Sequence, residues 1–410
     1  MEIPKIIGGE PVRNKPYPSW PIFSEKEKEL LISVLESGVW GVGGKLQEEF
    51  ERRFAEFQDS LYAVLCSSGT TALKIALKAM GIKPGDEVII PAYTFIGTAT
   101  AALDLNARII YADIDLNTYT IDVESVRDKV TEKTKAIIPV HFAGRPSDMD
   151  AVKEFSEEHG LLVLEDAAQS HGAEWRNKKV GAIGDAGAFS FQSSKNITAG
   201  EGGAITTNDD EIASTAWSLR NVGRPRDGPW YEHRIYGWNY RITEWQAAVL
   251  LAQLDRAPKL MEKRDASAKY LEKELREVDG IEPLPNDKKV TRHAHHIFVL
   301  KYNPDEFNGL SKELFVEALR AEGIPCNAGY RPLYSYSFLP SSRPLENTER
   351  ASYIEAVWLP QTVLLGEVQD LEDILRAILK IKRYSKEIVE KRASRNRQST
   401  TLKQNLSREQ

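Results

Sequence analysis

The chain has 410 residues, of which 41% are apolar and 28% are charged, and this balance is typical of a globular protein with two or three domains. Its net charge of −6 argues against a nucleic-acid-binding protein with a generally basic surface. No apolar stretch reaches the roughly 20 residues of a bilayer-spanning helix, and no signal-peptide pattern begins the sequence. Two distant cysteines exclude a disulfide framework, so we expect a cytoplasmic protein without membrane or nucleic-acid partners.

Helical patterns alternate with short apolar segments in the first half of the chain. A capping box at Ser24–Glu27 begins the first predicted helix, and a glycine-rich turn at 37–44 separates it from a second helix. The strands predicted after that helix are Tyr62–Cys66, Glu87–Ile90, Arg108–Tyr111, Ala136–Val140, Leu161–Leu164, Ala186–Phe191 and Ala204–Thr207. The helices predicted between them are Thr70–Met80, Gly97–Leu105, Val123–Val130, Met149–Glu158 and Asp210–Leu219. This alternation predicts an α/β fold with a mostly parallel central sheet and helices on both faces.

A long helical pattern at 243–278 connects this region to a second, smaller unit. The strands and helices predicted there are Ile297–Tyr302, Ser311–Glu322, Val357–Leu359 and Val368–Ile381. We therefore predict a large domain at 1–260, which includes the N-terminal helices, and a small C-terminal α+β domain at 261–381. Residues 382–410 hold nine basic and three acidic residues and few apolar ones near their end, so we expect a basic, mobile tail.

The first segment with recognisable chemistry is Ser67–Leu73, which follows the first predicted strand of the sheet. Small hydroxyl residues and Gly69 begin a helix there, and helix N-termini bind phosphate through free N–H groups and a partial positive charge. The same residues also suit an ordinary helix N-cap, and this segment alone leaves both interpretations open. The sequence lacks both the Gly-x-Gly-x-x-Gly pattern of dinucleotide sites and the P-loop of nucleoside-triphosphate sites.

Two further segments carry an acid and an amine. Glu165 and Asp166 end a predicted strand, where alternation directs their side chains oppositely, and a buried Asp166 needs a cationic partner unless it caps a helix. Lys195 follows another strand and is the only charged residue within 186–200. Its small and apolar neighbours favour a neutral, nucleophilic amine, whereas a lysine that only reaches solvent normally lies on a charged face.

A phosphate cradle, a buried acid and an isolated lysine at strand ends are the parts that a pyridoxal phosphate (PLP) enzyme requires. With the motifs around them, they resemble the DegT/StrS family of PLP-dependent sugar and cyclitol aminotransferases over about residues 18–382. The resemblance is closest to the branch with aminocyclitol aminotransferases and aminohydroxybenzoate synthases. The matching segments are Ser67–Leu73, Pro91–Phe95, Glu165–Gly172, Phe189–Gln192, Lys195, Gly200–Gly203, Gly223–Asp227 and Asn239–Arg241.

The resemblance implies fold type I of PLP enzymes and a role for each matched residue in binding the cofactor. Lys195 is implied to form the Schiff base and Asp166 to pair with the ring nitrogen, and both are implied to be catalytic. Phe95 is implied to stack on the ring, Gln169 to lie beside it and Ser190 to bind the phosphate. The other phosphate contacts are implied at Gly69, Thr70, Thr71 and, across a subunit boundary, Asn239.

The residues that bind the substrates are implied in the same way. Arg241 is implied to lie near Asn239 and to hold a carboxylate of the amino donor. The acceptor pocket is implied to contain four aromatic residues, which equally suit a packed aromatic loop: Trp40, Tyr93, Tyr330 and Tyr334. Because Asn239 would cross between subunits, the resemblance implies a homodimer with shared active sites.

The implied reaction moves an amino group from glutamate or glutamine to a keto sugar, typically nucleotide-linked, or to a keto cyclitol. It proceeds through a Schiff base on Lys195 and a pyridoxamine phosphate form. Relatives with histidine in place of Lys195 are dehydratases, so the lysine favours aminotransfer. Dehydration, aromatisation and a non-catalytic regulatory role are the alternatives. The three histidines at 293–296 lack nearby carboxylates or cysteines, and we expect no metal site.

Overall fold

A seven-stranded sheet forms the centre of the larger part of the protein, in a computed structural model that describes residues 3–394. The strands among these residues are β1 Tyr62–Cys66, β2 Glu87–Pro91, β3 Arg108–Ala112, β4 Thr134–Ile137, β5 Leu162–Asp166, β6 Glu174–Trp175, β7 Lys178–Lys179, β8 Ala186–Ser190, β9 Gly203–Thr207, β10 Ile281–Pro283, β11 Val290–Arg292, β12 Ile297–Tyr302 and β13 Ala356–Pro360. The α-helices are α1 Glu25–Ser37, α2 Lys45–Phe57, α3 Gly69–Ala79, α4 Ile96–Leu103, α5 Met149–His159, α6 Asp210–Arg220, α7 Glu244–Leu275, α8 Lys312–Ala321, α9 Glu346–Arg350 and α10 Val368–Arg383.

The large sheet has the strand order β1-β9-β8-β5-β4-β2-β3. Strand β9 runs antiparallel to both of its neighbours, and the other adjacent pairs are parallel. Val88 and Ile90 of β2 pack into one core with α3, while Ile89 packs with Val152 and Phe155 of α5 into another. Because successive strand residues point to opposite faces, helices cover both faces of this sheet. The predicted α/β fold with a mostly parallel sheet is confirmed.

Helix α7 connects the two parts of the protein. Leu250 and Leu254 in its first half pack into a core of the large sheet with Phe50 of α2. Ala268 and Leu271 in its second half pack into the core of the smaller part, together with α8 and α10. A three-stranded antiparallel sheet of order β10-β12-β13 lies in that smaller part. One continuous helix therefore contributes to both hydrophobic cores.

The predicted regular elements are present with small shifts at their ends, except for one helix, and several short elements were not predicted, among them β10 and α9. Residues Val123–Lys129 form a 3₁₀ helix instead of an α-helix, with Val123 and Val126 as its buried residues. A segment of seven residues with two buried positions has too little apolar surface to hold several α-helical turns. A third sheet, of order β11-β6-β7, was not predicted, because strands of two or three residues are too short to show alternation in sequence.

The first part of the predicted basic tail packs against the smaller part of the protein. Residues 385–394 are helical, and Ile388 is buried in the core that α8 and α10 share. Asn308 Nδ2 donates a hydrogen bond to Ser385 Oγ at 2.7 Å. The predicted tail beyond residue 394 lies outside the described residues. Within residues 3–394, every helix is too short or too polar to cross a membrane.

Candidate active site

The carboxyl ends of β1, β5 and β8 bring the predicted catalytic and phosphate-binding residues together. Strand β5 ends at Asp166, and β8 ends at Ser190, in a parallel pair that places Asp166 opposite Ala188. The chain then turns and reaches Lys195, whose N–H donates to the carbonyl oxygen of Gln192 at 2.8 Å. Ligands of open α/β sheets bind just outside the carboxyl ends of the strands. The predicted residues therefore lie where the topology places a ligand.

Asp166 is buried at this edge, with 6% of its surface exposed. Thr98 Oγ1 of α4 donates a hydrogen bond to Asp166 Oδ2 at 2.8 Å, and the N–H of Ala168 donates to Oδ1 at 3.2 Å. Burial raises the pKa of Asp166, and the two donors and the charge of Lys195 oppose that rise. A cation held against this carboxyl would keep it ionised. The sequence did not indicate Thr98, which is one of several threonines in a helix of small residues.

Lys195 has the properties of a reactive amine. Burial lowers the pKa of its ammonium group to about 8, and the negative charge of Asp166 limits the fall. At pH 7 roughly a tenth of such an amine is neutral and able to attack a carbonyl carbon. No side chain or carbonyl within residues 3–394 accepts a hydrogen bond from Lys195 Nζ. The amine is therefore not engaged in holding the fold.

Lys312 shows why the pKa alone does not identify the reactive lysine. Burial lowers its pKa to about 8 as well. Its Nζ, however, donates to the carbonyl oxygens of Ala328 at 2.8 Å, Ala351 at 3.4 Å and Ser352. Lys312 thus ties together backbone segments of the smaller part, which is a structural role. Lys195 differs because its amine has no such partner and lies beside Asp166.

The N-terminus of α3 lies next to Ser190. The Ser68 hydroxyl accepts a hydrogen bond from the N–H of Thr71 at 3.2 Å, and Thr71 Oγ1 accepts one from the N–H of Ser68 at 2.9 Å. This capping box leaves the N–H groups of Gly69 and Thr70 without acceptors inside the helix. A Cβ atom at Gly69 would lie 2.7 Å from Ser190 Cβ, so only glycine permits this approach. The hydroxyl of Ser190 and free helical N–H groups thus lie side by side, as a phosphate requires.

Gln169 connects the Asp166 loop to a group of aromatic rings. Its Nε2 donates to the hydroxyl of Tyr330 at 3.1 Å, and its Oε1 accepts from the N–H of Ala143 at 2.6 Å. The ring of Tyr330 lies 5.8 Å from that of Tyr93 and 6.4 Å from that of Phe95, between centroids. Tyr93 is fully buried, whereas Phe95 is 56% exposed. Phe95 therefore offers a free ring surface, and Tyr93 supports this aromatic group from behind.

The remaining predicted residues lie apart from the strand-end group. Trp40 packs on Trp245 at 5.5 Å between ring centroids, at the start of α7. Arg241 Nη1 donates to Asn221 Oδ1 at 3.2 Å, and Asn239 is exposed two residues earlier. No hydrogen bond, ion pair or ring contact within residues 3–394 joins Trp40, Asn239 or Arg241 to the strand-end group. This single chain therefore does not bring them to Lys195.

Tyr334 takes part in packing. Its hydroxyl donates to Glu349 Oε1 at 2.9 Å and accepts from the N–H of Leu345 at 3.0 Å. Its ring meets that of Tyr111 edge-on, at 5.9 Å between centroids. These contacts hold the segment that follows Tyr330 against the large sheet. The hydroxyl of Tyr334 is thus engaged within the fold.

Glu165, the neighbour of Asp166, has a separate set of partners. It is fully buried and accepts hydrogen bonds from the N–H groups of Gly181 at 2.8 Å and Gly184 at 2.7 Å. His141 Nδ1 accepts from the N–H of Ser147, so its Nε2 carries the proton that is donated to Glu165 at 2.9 Å. These donors lower the pKa of Glu165 in spite of its burial. The sequence indicated the opposite directions of the two carboxylates but not the role of His141 in fixing β5.

The strand-end residues form a set that fits PLP. Lys195 supplies a free amine of lowered pKa, and Asp166 supplies a buried carboxyl that forms no salt bridge within residues 3–394. Ser190 and the start of α3 supply donors for a phosphate, and Phe95 supplies an exposed ring. When bound, PLP provides an aldehyde for attachment to an amine and an aromatic ring that accepts electrons.

The match to a known family supports this chemistry over nearly the whole chain. The DegT/DnrJ/EryC1/StrS aminotransferase family matches residues 21–379. The chain belongs to this family. The resemblance inferred from the motifs is thereby confirmed, and the protein is a PLP-dependent aminotransferase.

Individual members of the DegT/DnrJ/EryC1/StrS family are similar over most of their length. A Micromonospora echinospora protein with the provisional name L-glutamine:3-amino-2,3-dideoxy-scyllo-inosose aminotransferase is 37% identical, over 92% of this chain and 96% of that protein. The 3-amino-5-hydroxybenzoate synthase of Amycolatopsis mediterranei is 38% identical, over 87% and 94%. The crystal structure of DesI in the presence of its TDP-sugar product matches with a TM-score of 0.84 and 28% identity, over 95% and 98%.

Proposed function

We propose that this aminotransferase moves the amino group of glutamine to the ketone of a cyclitol ring, as a cytoplasmic homodimer. The observation that carries the proposal is the free amine of Lys195, with its lowered pKa, beside the buried carboxyl of Asp166. The donor and acceptor classes are supported by the name of the M. echinospora relative.

Each strand-end residue has a role that follows from its position. Lys195 would hold the cofactor at rest and, once displaced by the donor amine, would take the proton from the donor Cα as a general base and deliver it to the cofactor carbon as an acid. Asp166 pairs with the cationic ring nitrogen, and Thr98 holds the carboxylate in place for that contact. Ser190 binds the phosphate, and Phe95 covers one face of the ring.

A cyclitol acceptor fits the surroundings of the site better than a nucleotide-linked sugar. A nucleotide-linked sugar needs cations for its diphosphate, and Arg224 and Arg226 are two candidates in the matching segment Gly223–Asp227. Arg224 lies over the ring of Trp230 at 3.8 Å and donates to the Trp230 carbonyl oxygen at 2.6 Å. Arg226 lies over Trp217 at 5.6 Å. The similarity to DesI, with its TDP-sugar product, makes the nucleotide-linked sugar the second candidate.

A dimer with shared active sites is supported by the segment that precedes Asn239. Trp230, Tyr231 and Tyr236 are 52%, 85% and 81% exposed, and large exposed aromatic surfaces usually mark protein–protein contacts. In such a dimer, Asn239 would bind the phosphate in the partner's site, and Arg241 would lie close to it. Within residues 3–394, neither side chain forms a hydrogen bond or ion pair with the strand-end group of its own chain, which is consistent with this arrangement.

Product analysis tests the proposed reaction. The PLP-loaded enzyme is incubated with glutamine and either 3-amino-2,3-dideoxy-scyllo-inosose or a TDP-linked keto sugar, with Lys195→Ala as the control. We expect the aminated cyclitol, detected by mass spectrometry, and no product with the variant. Amination of the TDP-linked sugar alone would replace the cyclitol with the second candidate, and an aromatic product would contradict aminotransfer as the reaction.

A further inference from the structure

Arg264 is a fully buried cation in the apolar stripe of α7. It lies between Met261 and Ala268 at the helical spacing of buried residues, and 1% of its surface is exposed. Its Nε donates to Gln361 Oε1 at 2.7 Å, and its guanidinium lies over the ring of Trp20 at 5.2 Å. Within residues 3–394, its Nη1 and Nη2 atoms have no hydrogen-bond partner.

Two other buried arginines, Arg13 and Arg220, are paired with carboxylates, whereas buried Arg145 donates to the carbonyl oxygen of Pro285. Arg13 donates to Asp370 at 2.7 Å and to Asp373 at 2.8 Å, and Arg220 donates to Glu51 at 2.6 Å. No carboxylate among the described residues opposes the charge of Arg264, and burial lowers its pKa to about 9. An isolated buried cation is costly unless it is paired. Residues 3–394 therefore hold a buried guanidinium without a counter-ion, and an anionic ligand would supply one.

Two further hydrogen-bond donors without acceptors lie next to Arg264. Trp20 Nε1 and Gln361 Nε2 are buried and have no hydrogen-bond partner among residues 3–394. Both residues line a cavity of about 580 Å³ between the large and the smaller part. Its wall also contains Ser193 and Ser194, which directly precede Lys195 in the chain. Two of the unpaired donors thus lie in the wall of an open cavity that reaches the segment directly before Lys195 and is large enough for a small molecule.

We propose that Arg264, with Gln361 and Trp20, binds the α-carboxylate of the amino donor. This inference rests on the proposed function, because it assigns a subsite for glutamine in that reaction. A carboxylate accepts two parallel hydrogen bonds from a guanidinium, which matches the free Nη1 and Nη2 atoms. Trp20 and Gln361 cover the guanidinium and also line the cavity, so rotation of these side chains would open it to the ligand. The acceptor in the proposed reaction is a cyclitol without a carboxylate, which leaves the donor as the occupant.

The resemblance implied that Arg241 holds the carboxylate of the amino donor, and we assign that role to Arg264 instead. Arg241 Nη1 is already bonded to Asn221, and Arg241 lies near Arg220 and Arg224, which lower its pKa together with burial. We therefore assign Arg241 to the part of the partner's site that binds the phosphate of PLP. Arg264 is assigned to the donor.

The first test compares glutamine with glutamine α-amide, which has the same side chain but no carboxylate. The spectral change of the PLP-loaded enzyme gives the dissociation constant of each donor, separately from the acceptor half-reaction. For Arg264→Gln we expect about a 10- to 100-fold weaker affinity for glutamine and an unchanged affinity for the amide. Arg241→Gln is the matched control and should retain the preference for the carboxylate. Equal losses for both donors in Arg264→Gln would show a structural role only and would overturn the inference.

Gln361→Glu provides a second test that keeps Arg264 in place. The substitution supplies a carboxylate next to the guanidinium, so the fold gains the missing anion and the melting temperature should not fall. We expect glutamine to bind at least about tenfold more weakly, because its carboxylate then competes with an internal one. Normal glutamine binding in this variant would overturn the inference, even if Arg264→Gln fails to fold.

Calorimetric binding of glutarate, an unreactive dicarboxylate, separates failure of this site from failure of the proposed function. A wild-type holoenzyme that binds glutarate, with loss in Gln361→Glu, but reacts with no donor would defeat the proposed function and retain the carboxylate site. A holoenzyme that reacts with glutamine and keeps the same preference over the amide in every variant would defeat the carboxylate site alone.

Discussion

The strand-end group and the loop at 221–241 differ in how completely one chain assembles them. Asp166, Ser190 and Lys195 lie within one short stretch of sheet edge, and Thr98 fixes the carboxylate directly. The loop, by contrast, holds Asn239 exposed and surrounds it with exposed aromatic rings. The sheet topology alone brings the first group together, while the second is the part that we propose to contact another chain. We therefore expect each chain to supply the residues of the chemical step by itself. We expect tight PLP binding to require both chains of the dimer.

Replacement of Lys195 should have the largest effect. In Lys195→Ala we expect loss of the visible absorption of attached PLP and a decrease in turnover of more than about 10³-fold, because both the point of attachment and the general base are removed. Absorption spectra and product assays give the result. Lys312→Met is the matched control: it removes a buried lysine of the same pKa, so the melting temperature should fall while the PLP spectrum is retained. An unchanged PLP spectrum in Lys195→Ala would contradict the assignment.

Asp166→Asn should have the next largest effect. The amide preserves the shape of the carboxyl but cannot balance a cationic ring nitrogen, and we expect the half-reaction with glutamine to slow by about 10²–10³-fold. Stopped-flow absorbance measures that rate. Glu165→Gln changes the adjacent carboxylate, which bonds to His141 and to backbone N–H groups. That control should lower thermal stability and leave the half-reaction nearly intact; the reverse pattern would show that the two carboxylates have been assigned wrongly.

Asn239→Ala tests whether the loop belongs to the partner's site. We expect roughly 10- to 100-fold weaker PLP binding, since a hydrogen bond to a charged phosphate is lost. Mixing this variant with Lys195→Ala, after dissociation and reassociation, should restore about a quarter of the wild-type activity, because half of the dimers are mixed and each contains one intact site. Equilibrium dialysis and product assays provide the measurements. Absence of any recovery in verified mixed dimers would place Asn239 outside the shared site.

The rate of PLP attachment to the cofactor-free enzyme should depend on pH with the sign set by Lys195. Burial lowers the pKa of Lys195 to about 8, so the reactive neutral amine is the minor form below that pH and the major form above it. We expect the attachment rate to rise about tenfold per pH unit up to about pH 8 and then to level off. In Asp166→Asn the midpoint should move to lower pH, since the charge that raises the pKa is gone. A midpoint near the ordinary lysine pKa would mean that the amine is not buried as described.

Thr98→Val should have the smallest effect. The substitution removes the donor to Asp166 Oδ2 and keeps the shape of the side chain. A hydrogen bond of this kind contributes about 1 kcal/mol, so we expect a decrease of about fivefold in the half-reaction rate. The same stopped-flow assay detects it. A loss as large as that of Asp166→Asn would mean that Thr98 contacts the reacting atoms directly.

The sequence predicted the strand-end residues because strand, turn and helix signals place them without knowledge of side-chain packing. Asp166 and Lys195 stand out as charges after apolar strands, and their proximity follows from parallel pairing. Thr98 was missed because a threonine in a small-residue helix is unremarkable until the carboxylate that it holds is located. Arg264 was also missed, although a cation in an apolar stripe was a readable signal, because its lack of a partner depends on Gln361, which lies far along the chain.

The most direct measurement is the visible spectrum of the PLP-loaded protein before and after addition of glutamine. We predict a yellow band from PLP attached to Lys195 that gives way, on addition of glutamine, to the colourless pyridoxamine phosphate form. Addition of a keto cyclitol should then restore the yellow band. A spectrum that glutamine and glutamate both leave unchanged, in protein shown to contain PLP, would contradict the assignment of Lys195 and Asp166 to aminotransfer.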